Sequence, residues 1–228
     1  MQILYIIPAR GGSKGLPGKN IKNLAGKPMI AYSIITALNA KYKGKVVVST
    51  DDLKIAELSK QYGAEVPFMR PDELATDSAS SVDAIAHAME YYKKQNVFFD
   101  LVVLLQPTSP LRKSIDIDNS IDLLKQKNAS AIVSVCENEH HPFWSNSLPE
   151  DGSMKDFIKD EVKGKNRQQL PKNYRLNGAV YVSKVEELLK HKGFVHEGTY
   201  AYIMPSNRSI DIDNEVDFKL AELLIKNG

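Results

Sequence analysis

Five apolar runs recur along the chain, at residues 3–7, 46–48, 101–105, 131–135 and 179–182, with room for helices between most of them. They are near-continuous rather than alternating, the pattern of strands covered on both faces, as in a parallel sheet with helices packed on each side. The intervening segments carry helix signals. Pro28 suits the first position of a helix reaching about residue 40. Asp51 and Asp52 can cap a helix over 53–62. Ser80 or Ser81 can open another to about 94, with Val82, Ile85, Ala86 and Met89 on one face. Strand and helix in alternation predict a doubly wound, mostly parallel α/β sheet. At this length one domain spanning 1–228 is expected, with ligands gathered at the carboxyl ends of the strands.

Residues 137–175 break the alternation. They hold Trp144, three prolines and two glycines, with no long periodic segment. Such a stretch inside a compact domain is usually functional, and its aromatic content (HHPFW) argues against disorder. It reads as a protruding arm that closes over substrate, packs on a second subunit, or does both.

Bulk properties exclude several classes of function. A net charge of +2 and the lack of a Lys/Arg block give no footing for nucleic acid. No apolar stretch approaches the ~18 residues of a membrane span. The N-terminus lacks the basic region and small-residue cleavage site of a signal peptide, so a cytoplasmic protein is expected. The single cysteine, Cys136, rules out an internal disulfide and any multi-cysteine zinc site, and its apolar neighbours suggest an inert thiol.

Chemistry concentrates at predicted strand ends. The segment IPARGGSKGLPGKNI (7–21) puts four glycines, Arg10, Lys14 and Lys19 after the first strand, the make-up of an anion cradle. It is neither a P-loop, since Ser13 and Asn20 fail that pattern, nor a dinucleotide fingerprint, since no register of its glycines gives G-x-G-x-x-G. LLQPTSPLR (104–112) offers the Gln106 amide, the Thr108 and Ser109 hydroxyls and the Arg112 fork. TDSASS (76–81) supplies hydroxyls at a helix start. SIDIDNEVDF (209–218) closely repeats SIDIDNSIDL (114–123). Each is read as an extended Asp-x-Asp segment followed by a helix, and either pair could hold Mg²⁺ or cap that helix. Spacing does not choose between Asp116/Asp118 and Asp211/Asp213. Finally, RQQLPKNYRLNGAVYV (167–182) gathers Arg167, Gln168, Gln169 and Arg175 ahead of a strand, with Asn177 and Tyr181 able to face a cleft.

These blocks, together with VVSTDD, EHHP and SIDID and in this order, resemble the CMP-nonulosonate synthetases, the cytidylyltransferases that activate sialic, legionaminic and pseudaminic acids. The resemblance spans nearly the whole chain. It implies that the anomeric hydroxyl of a nine-carbon 2-keto-3-deoxy acid attacks the α-phosphate of CTP and releases pyrophosphate, with no covalent enzyme intermediate. Carried over by motif, Arg10 and Lys14 would neutralise the CTP phosphates, near Lys19 and Asn20. Ala9, Asn20, Ser80 and Ser81 would contact the nucleotide, and Arg70 would lie near the base. Gln106, Ser109, Arg167 and Tyr181 would face the sugar acid. Asp211 and Asp213 would hold Mg²⁺, with Mn²⁺ able to substitute, and Asp211 would orient or deprotonate the attacking hydroxyl. The arm would exchange between the subunits of a homodimer. One departure stands out: EHHP is followed by Phe143 and Trp144, where sialic acid enzymes carry Leu-Lys. An apolar pair there suits a deoxygenated or diacetylated acid of the legionaminic type better than N-acetylneuraminic acid. Competing readings are an enzyme for KDO or a sugar 1-phosphate, and a non-catalytic nucleotide-binding homologue.

Overall fold

A computed structural model describes residues 1–13, 15–76 and 79–227. In chain order the elements are β1 (Ile3–Pro8), β2 (Asn23–Leu24), β3 (Lys27–Pro28), α1 (Met29–Leu38), β4 (Lys45–Ser49), α2 (Leu53–Gln61), α3 (Ser81–Lys93), β5 (Leu101–Leu104), α4 (Ser114–Gln126), β6 (Ala131–Glu137), β7 (Tyr174–Lys184), α5 (Val185–His191), β8 (Thr199–Ile203) and α6 (Glu215–Asn227). The main sheet has the order β4-β1-β5-β7-β6-β8. β1 lies parallel to β4 and β5, and β6 is parallel to β8, whereas β7 runs against both of its neighbours. The mostly parallel α/β sheet expected from the apolar runs is present. What the runs did not reveal is the direction of β7, or β8, whose TYAYI sequence lies half-exposed at the sheet edge.

Successive residues of β1 serve opposite faces, as strand periodicity requires. Tyr5 and Ile7 join α1 and α4 in one core, while Leu4 and Ile6 join α3 and α5 in the other. Full burial of such side chains contributes about 1.5–3 kcal/mol each, so β1 is firmly anchored where the glycine loop leaves it. A third, smaller cluster matters more for function. Leu16 of the glycine loop meets Leu24, Met29, Ile212 and Phe218, tying that loop to the segment before α6.

Capping sets the helix starts. The Asp52 carboxylate accepts from the Lys54 and Ile55 amides at 2.7 and 3.0 Å, and Ser80 forms a reciprocal box with Asp83. Asp51, its fellow candidate, instead accepts from the Gly11 amide at 3.0 Å and pins the glycine loop. The two SIDID segments part company. Residues 114–123 are helical, not extended, because the Asp116 carboxylate caps α4 by accepting from the Lys113 amide at 2.8 Å. Residues 209–214 remain extended or irregular, and α6 starts at Glu215.

Residues 138–173 leave the sheet between β6 and β7. They contain three 3-10 turns, Pro142–Trp144, Asp160–Val162 and Arg167–Gln169, and are largely exposed. Among the described residues, no helix is long and apolar enough to cross a membrane.

Candidate active site

The chain leaves β1 for β4 on one side and returns to β5 on the other, so the strand order reverses at β1. Crevices at such switch points, beyond the carboxyl ends of the strands, are where open α/β sheets bind ligands. A cavity of about 520 Å³ lies there, walled by Arg10, Ser13, Gly15, Lys19 and Asn20 from the glycine loop, by Arg70, Thr76, Ser80 and Ser81, by Gln106 and Thr108 beyond β5, and by Asp213. Among the described residues its wall carries three cations, several hydroxyls and one carboxylate, a lining suited to a polyanion with hydroxyl groups.

Each part is held from behind. The Asn20 amide, nearly buried, donates to the Arg10 carbonyl at 2.9 Å and so fixes the shape of the loop. The Arg70 guanidinium donates to the Ser49 hydroxyl at 3.0 Å and to the Ser49 carbonyl. Its pKa lies below the usual arginine range, first through burial and then through nearby Arg10. Gly15 lets two segments touch, since a Cβ there would fall 2.5 Å from the Asp213 carbonyl oxygen. Gly178 does the same for Gln106: at φ +70° it leaves room that a Cβ would fill to within 2.4 Å of Gln106 Oε1.

The carboxylate pair is asymmetric. Asp211 is half-buried, and its pKa is raised, mainly by burial and then by Asp213, against the opposing pull of Thr108, Lys19 and Arg175. Its Oδ1 is buried without a hydrogen-bond partner among the described residues. Asp213 is exposed at the cavity, with Lys19 Nζ 3.4 Å from its Oδ1 and 3.0 Å from the Ile212 carbonyl. A buried oxygen with unused lone pairs beside a second carboxylate suits a hard divalent cation, which takes one or two carboxylates and completes its shell from waters and phosphates. The pair fits Mg²⁺. Asp116 and Asp118 have no such freedom. Asp116 is fully buried and ion-paired with Arg208 at 2.8 Å, and the Asp118 carboxylate accepts from the Lys41 amide at 2.9 Å.

Of the residues singled out in the sequence, Arg10, Asn20, Arg70, Ser80, Ser81, Gln106 and Asp213 stand together on the cavity wall. Ala9 is buried behind it, with its amide donating to Ser49. Ser109 is also buried, its hydroxyl donating to the Asn177 carbonyl at 3.1 Å. Tyr181 packs on Phe194 with ring centroids 5.3 Å apart. Burial raises its pKa, with Asp211 adding to the effect. Arg167 lies apart on the arm, donating to the Asn138 carbonyl at 2.8 Å beside a second cavity of about 450 Å³. Phe143 and Trp144 are on the arm too, grouped around His141. Lys14 lies outside the described residues.

Two polar side chains read as ligand contacts turn inward instead. Arg112 is buried and donates to the Ala179 carbonyl at 2.6 Å, the Ser33 hydroxyl at 2.5 Å and the Gln106 carbonyl, so it braces the loop that carries Gln106. Asn177, also buried, joins Ser134 at 2.6 Å to Ser209 at 2.9 Å. Asp51 and Thr108 gain importance for the opposite reason. Both lie at strand ends, and only the fold shows that one pins the glycine loop and the other bonds to Asp211.

Comparison with known proteins agrees with this geometry. The chain is 39% identical over 229 residues to "CMP-N,N'-diacetyllegionaminic acid synthase" of Legionella pneumophila, covering 99% of this chain and 97% of the relative. It is also 39% identical to an N-acylneuraminate cytidylyltransferase of Streptococcus agalactiae, covering 96% of this chain and 52% of that longer protein. A solved structure of CMP:2-keto-3-deoxy-manno-octonic acid synthetase complexed with CTP shares the fold, with a TM-score of 0.73 at 16% identity over 100% of this chain and 99% of that one. The family pattern described as "Cytidylyltransferase" matches residues 4–220. A cationic, hydroxyl-lined crevice at the switch point and full-length similarity lead to one conclusion: the chain belongs to the cytidylyltransferase family.

Proposed function

We propose that this protein joins CTP to a nine-carbon 2-keto-3-deoxy sugar acid, giving the CMP-sugar and pyrophosphate, and that the acid is of the legionaminic type. The observation that carries the reading is a polyanion cradle of Arg10, Lys19 and Arg70 with Asp213 on its wall, backed by the buried Oδ1 of Asp211 two residues before it, unpartnered among the described residues. Arg10 and Lys19, joined by Lys14, neutralise the triphosphate, while Ser80, Ser81 and Arg70 hold the nucleoside end. Gln106, braced by Arg112 and seated over Gly178, orients the acceptor. Catalysis of this kind is positioning and charge neutralisation rather than covalent chemistry. Asp211 and Asp213 would hold Mg²⁺, which when bound neutralises phosphate charge. The raised pKa of Asp211 suits a group that accepts a hydrogen bond or proton from the attacking hydroxyl.

The acting species in this reading is a homodimer. Leu176 of β7 and Ile203 of β8 both register with Val135 of β6. Leu176 is 54% exposed and Ile203 58%. This apolar row at the foot of the arm supports burial against a second copy, which would bring Arg167 and the aromatic turn toward a neighbouring sugar site.

The test is pyrophosphate release from CTP and Mg²⁺ with N,N'-diacetyllegionaminic, N-acetylneuraminic, pseudaminic and KDO acids in parallel. Turnover highest with the legionaminic acid, and abolished in Asp211→Ala, is the expected result. A clear preference for N-acetylneuraminic acid would overturn the sugar assignment and leave the chemistry standing. Turnover with none of the four would overturn both.

A further inference from the structure

At the far end of α5, on the opposite side of β7 from the glycine loop in sequence, lies a cluster that the nucleotidyl-transfer reading does not use. Glu187 and His191 stand one helical turn apart, and His196 comes from the loop that leads into β8. One ligand-capable atom from each lies within 4.8 Å of the other two. His191 Nε2 is 3.3 Å from Glu187 Oε2.

His196 carries the argument furthest. Its Nδ1 lies 2.9 Å from the Glu197 carbonyl, and since a carbonyl can only accept, Nδ1 must bear the hydrogen. In the neutral ring that leaves Nε2 with a lone pair, and this atom is buried with no hydrogen-bond partner among the described residues. A buried acceptor left unused carries a desolvation penalty, and a backbone bond on the other nitrogen is the usual way a metal-binding histidine is fixed in its tautomer. The loop is ordered for the purpose. The His196 amide donates to Thr199 Oγ1 at 3.1 Å, and Thr199 Oγ1 donates to the Phe194 carbonyl at 2.9 Å.

We propose that Glu187, His191 and His196 form a Zn²⁺ site, with water in the fourth position, that clamps the end of α5 to the loop before β8. Two imidazoles and a carboxylate suit a borderline-soft ion in tetrahedral geometry and are a poor match for Mg²⁺ or Ca²⁺. The imidazoles now stack 4.2 Å apart at 15°. Two parallel rings cannot both aim in-plane lone pairs at one ion, so binding tilts His191, the exposed member. Its Nε2 must then be unprotonated, the hydrogen passing to Nδ1 or to solvent. Glu187 gives up its contact with Lys190, now at 3.7 Å.

The test uses the full chain stripped with a chelator, then titrated with ZnCl₂ while excess Mg²⁺ occupies the all-oxygen Asp211/Asp213 pair. One equivalent of Zn²⁺ is expected, together with a rise in Tm and, with Co²⁺ as probe, the strong visible absorption of a four-coordinate ion. His191→Ala and His196→Ala should each weaken Zn²⁺ binding by more than the roughly 10- to 100-fold typical of losing a supporting outer-shell partner. Glu187→Gln, which keeps the side-chain shape, should weaken it as well and remove the Tm rise. Zn²⁺ binding unchanged in the two histidine variants, or absent from the parent protein, would overturn the proposal.

Discussion

At the residue scale, the role proposed for Asp211 sets it against stability. Burial raises its pKa, so the folded chain holds this proton more tightly than the unfolded chain does. The residue therefore costs stability as pH climbs from the ordinary carboxylate range through its raised value, and the cost is constant above that. Asp211→Asn should melt higher than the parent protein at pH 7 without divalent cations, and the difference should vanish in acid, where both states are protonated. Thermal melts across pH check this, and equal melting at pH 7 would contradict it. The same substitution should lower kcat by at least ~10², the scale of removing one group aimed at the reacting centre. Gly15 makes a complementary case. A methyl group there would press on the Asp213 carbonyl and part the glycine loop from the carboxylates. Gly15→Ala should cut kcat/KM for CTP by roughly 10²-fold, as ångström-scale misplacement does, with little loss of secondary structure by circular dichroism.

Between elements, the two SIDID segments show how far a motif can be trusted. Seven of their ten residues are identical, yet one begins a helix at its first residue and the other holds off until its seventh. Their surroundings decide. Asp116 is claimed by the α4 start and by Arg208. In the second copy, capping falls to Asn214 and Asp217: Asn214 Oδ1 accepts from the Val216 amide at 2.8 Å, and the Asp217 carboxylate accepts from the Asp213 amide at 3.0 Å. That leaves Asp211 out of the helix cap, with its Oδ1 unpartnered among the described residues. Matched substitutions should separate the roles. Asp116→Ala breaks a buried ion pair and should cost about 3 kcal/mol, or roughly 2–4 °C of Tm per kcal/mol in a chain of this size, with turnover of the folded fraction largely kept. Asp211→Ala should do the reverse. Chemical denaturation alongside steady-state kinetics would check both. The strands were legible because covered strands must be apolar, and the glycine loop because its composition has few other uses. Arg112 and Asn177 were not, because a polar side chain satisfied by buried carbonyls and hydroxyls has the same one-dimensional signature as one awaiting ligand. Asp51 and Asp52 divide their labour for reasons visible only once Gly11 is placed beside them.

For the whole molecule, the row formed by Leu176, Val135 and Ile203 makes association testable apart from chemistry. Leu176→Glu combined with Ile203→Glu should convert a dimer to a monomer by light scattering. If arm residues of one copy complete the sugar site of the other, kcat/KM for the acid should fall by roughly tenfold or more, each tenfold being about 1.4 kcal/mol of lost contact, while KM for CTP changes little. A monomer with unaltered kinetics would separate the arm from the sugar site. The arm itself begins and ends on adjoining rungs: Glu137 pairs with Tyr174, and the Asn138 amide donates to the Asn173 carbonyl at 2.8 Å. Topologically it is an overgrown hairpin connection, a cassette whose two sockets already face each other. Such a cassette can be shortened, replaced or traded without rethreading the sheet, so if the arm does reach the sugar site as proposed, acceptor preference would be free to diversify while the crevice at the switch point stays as it is.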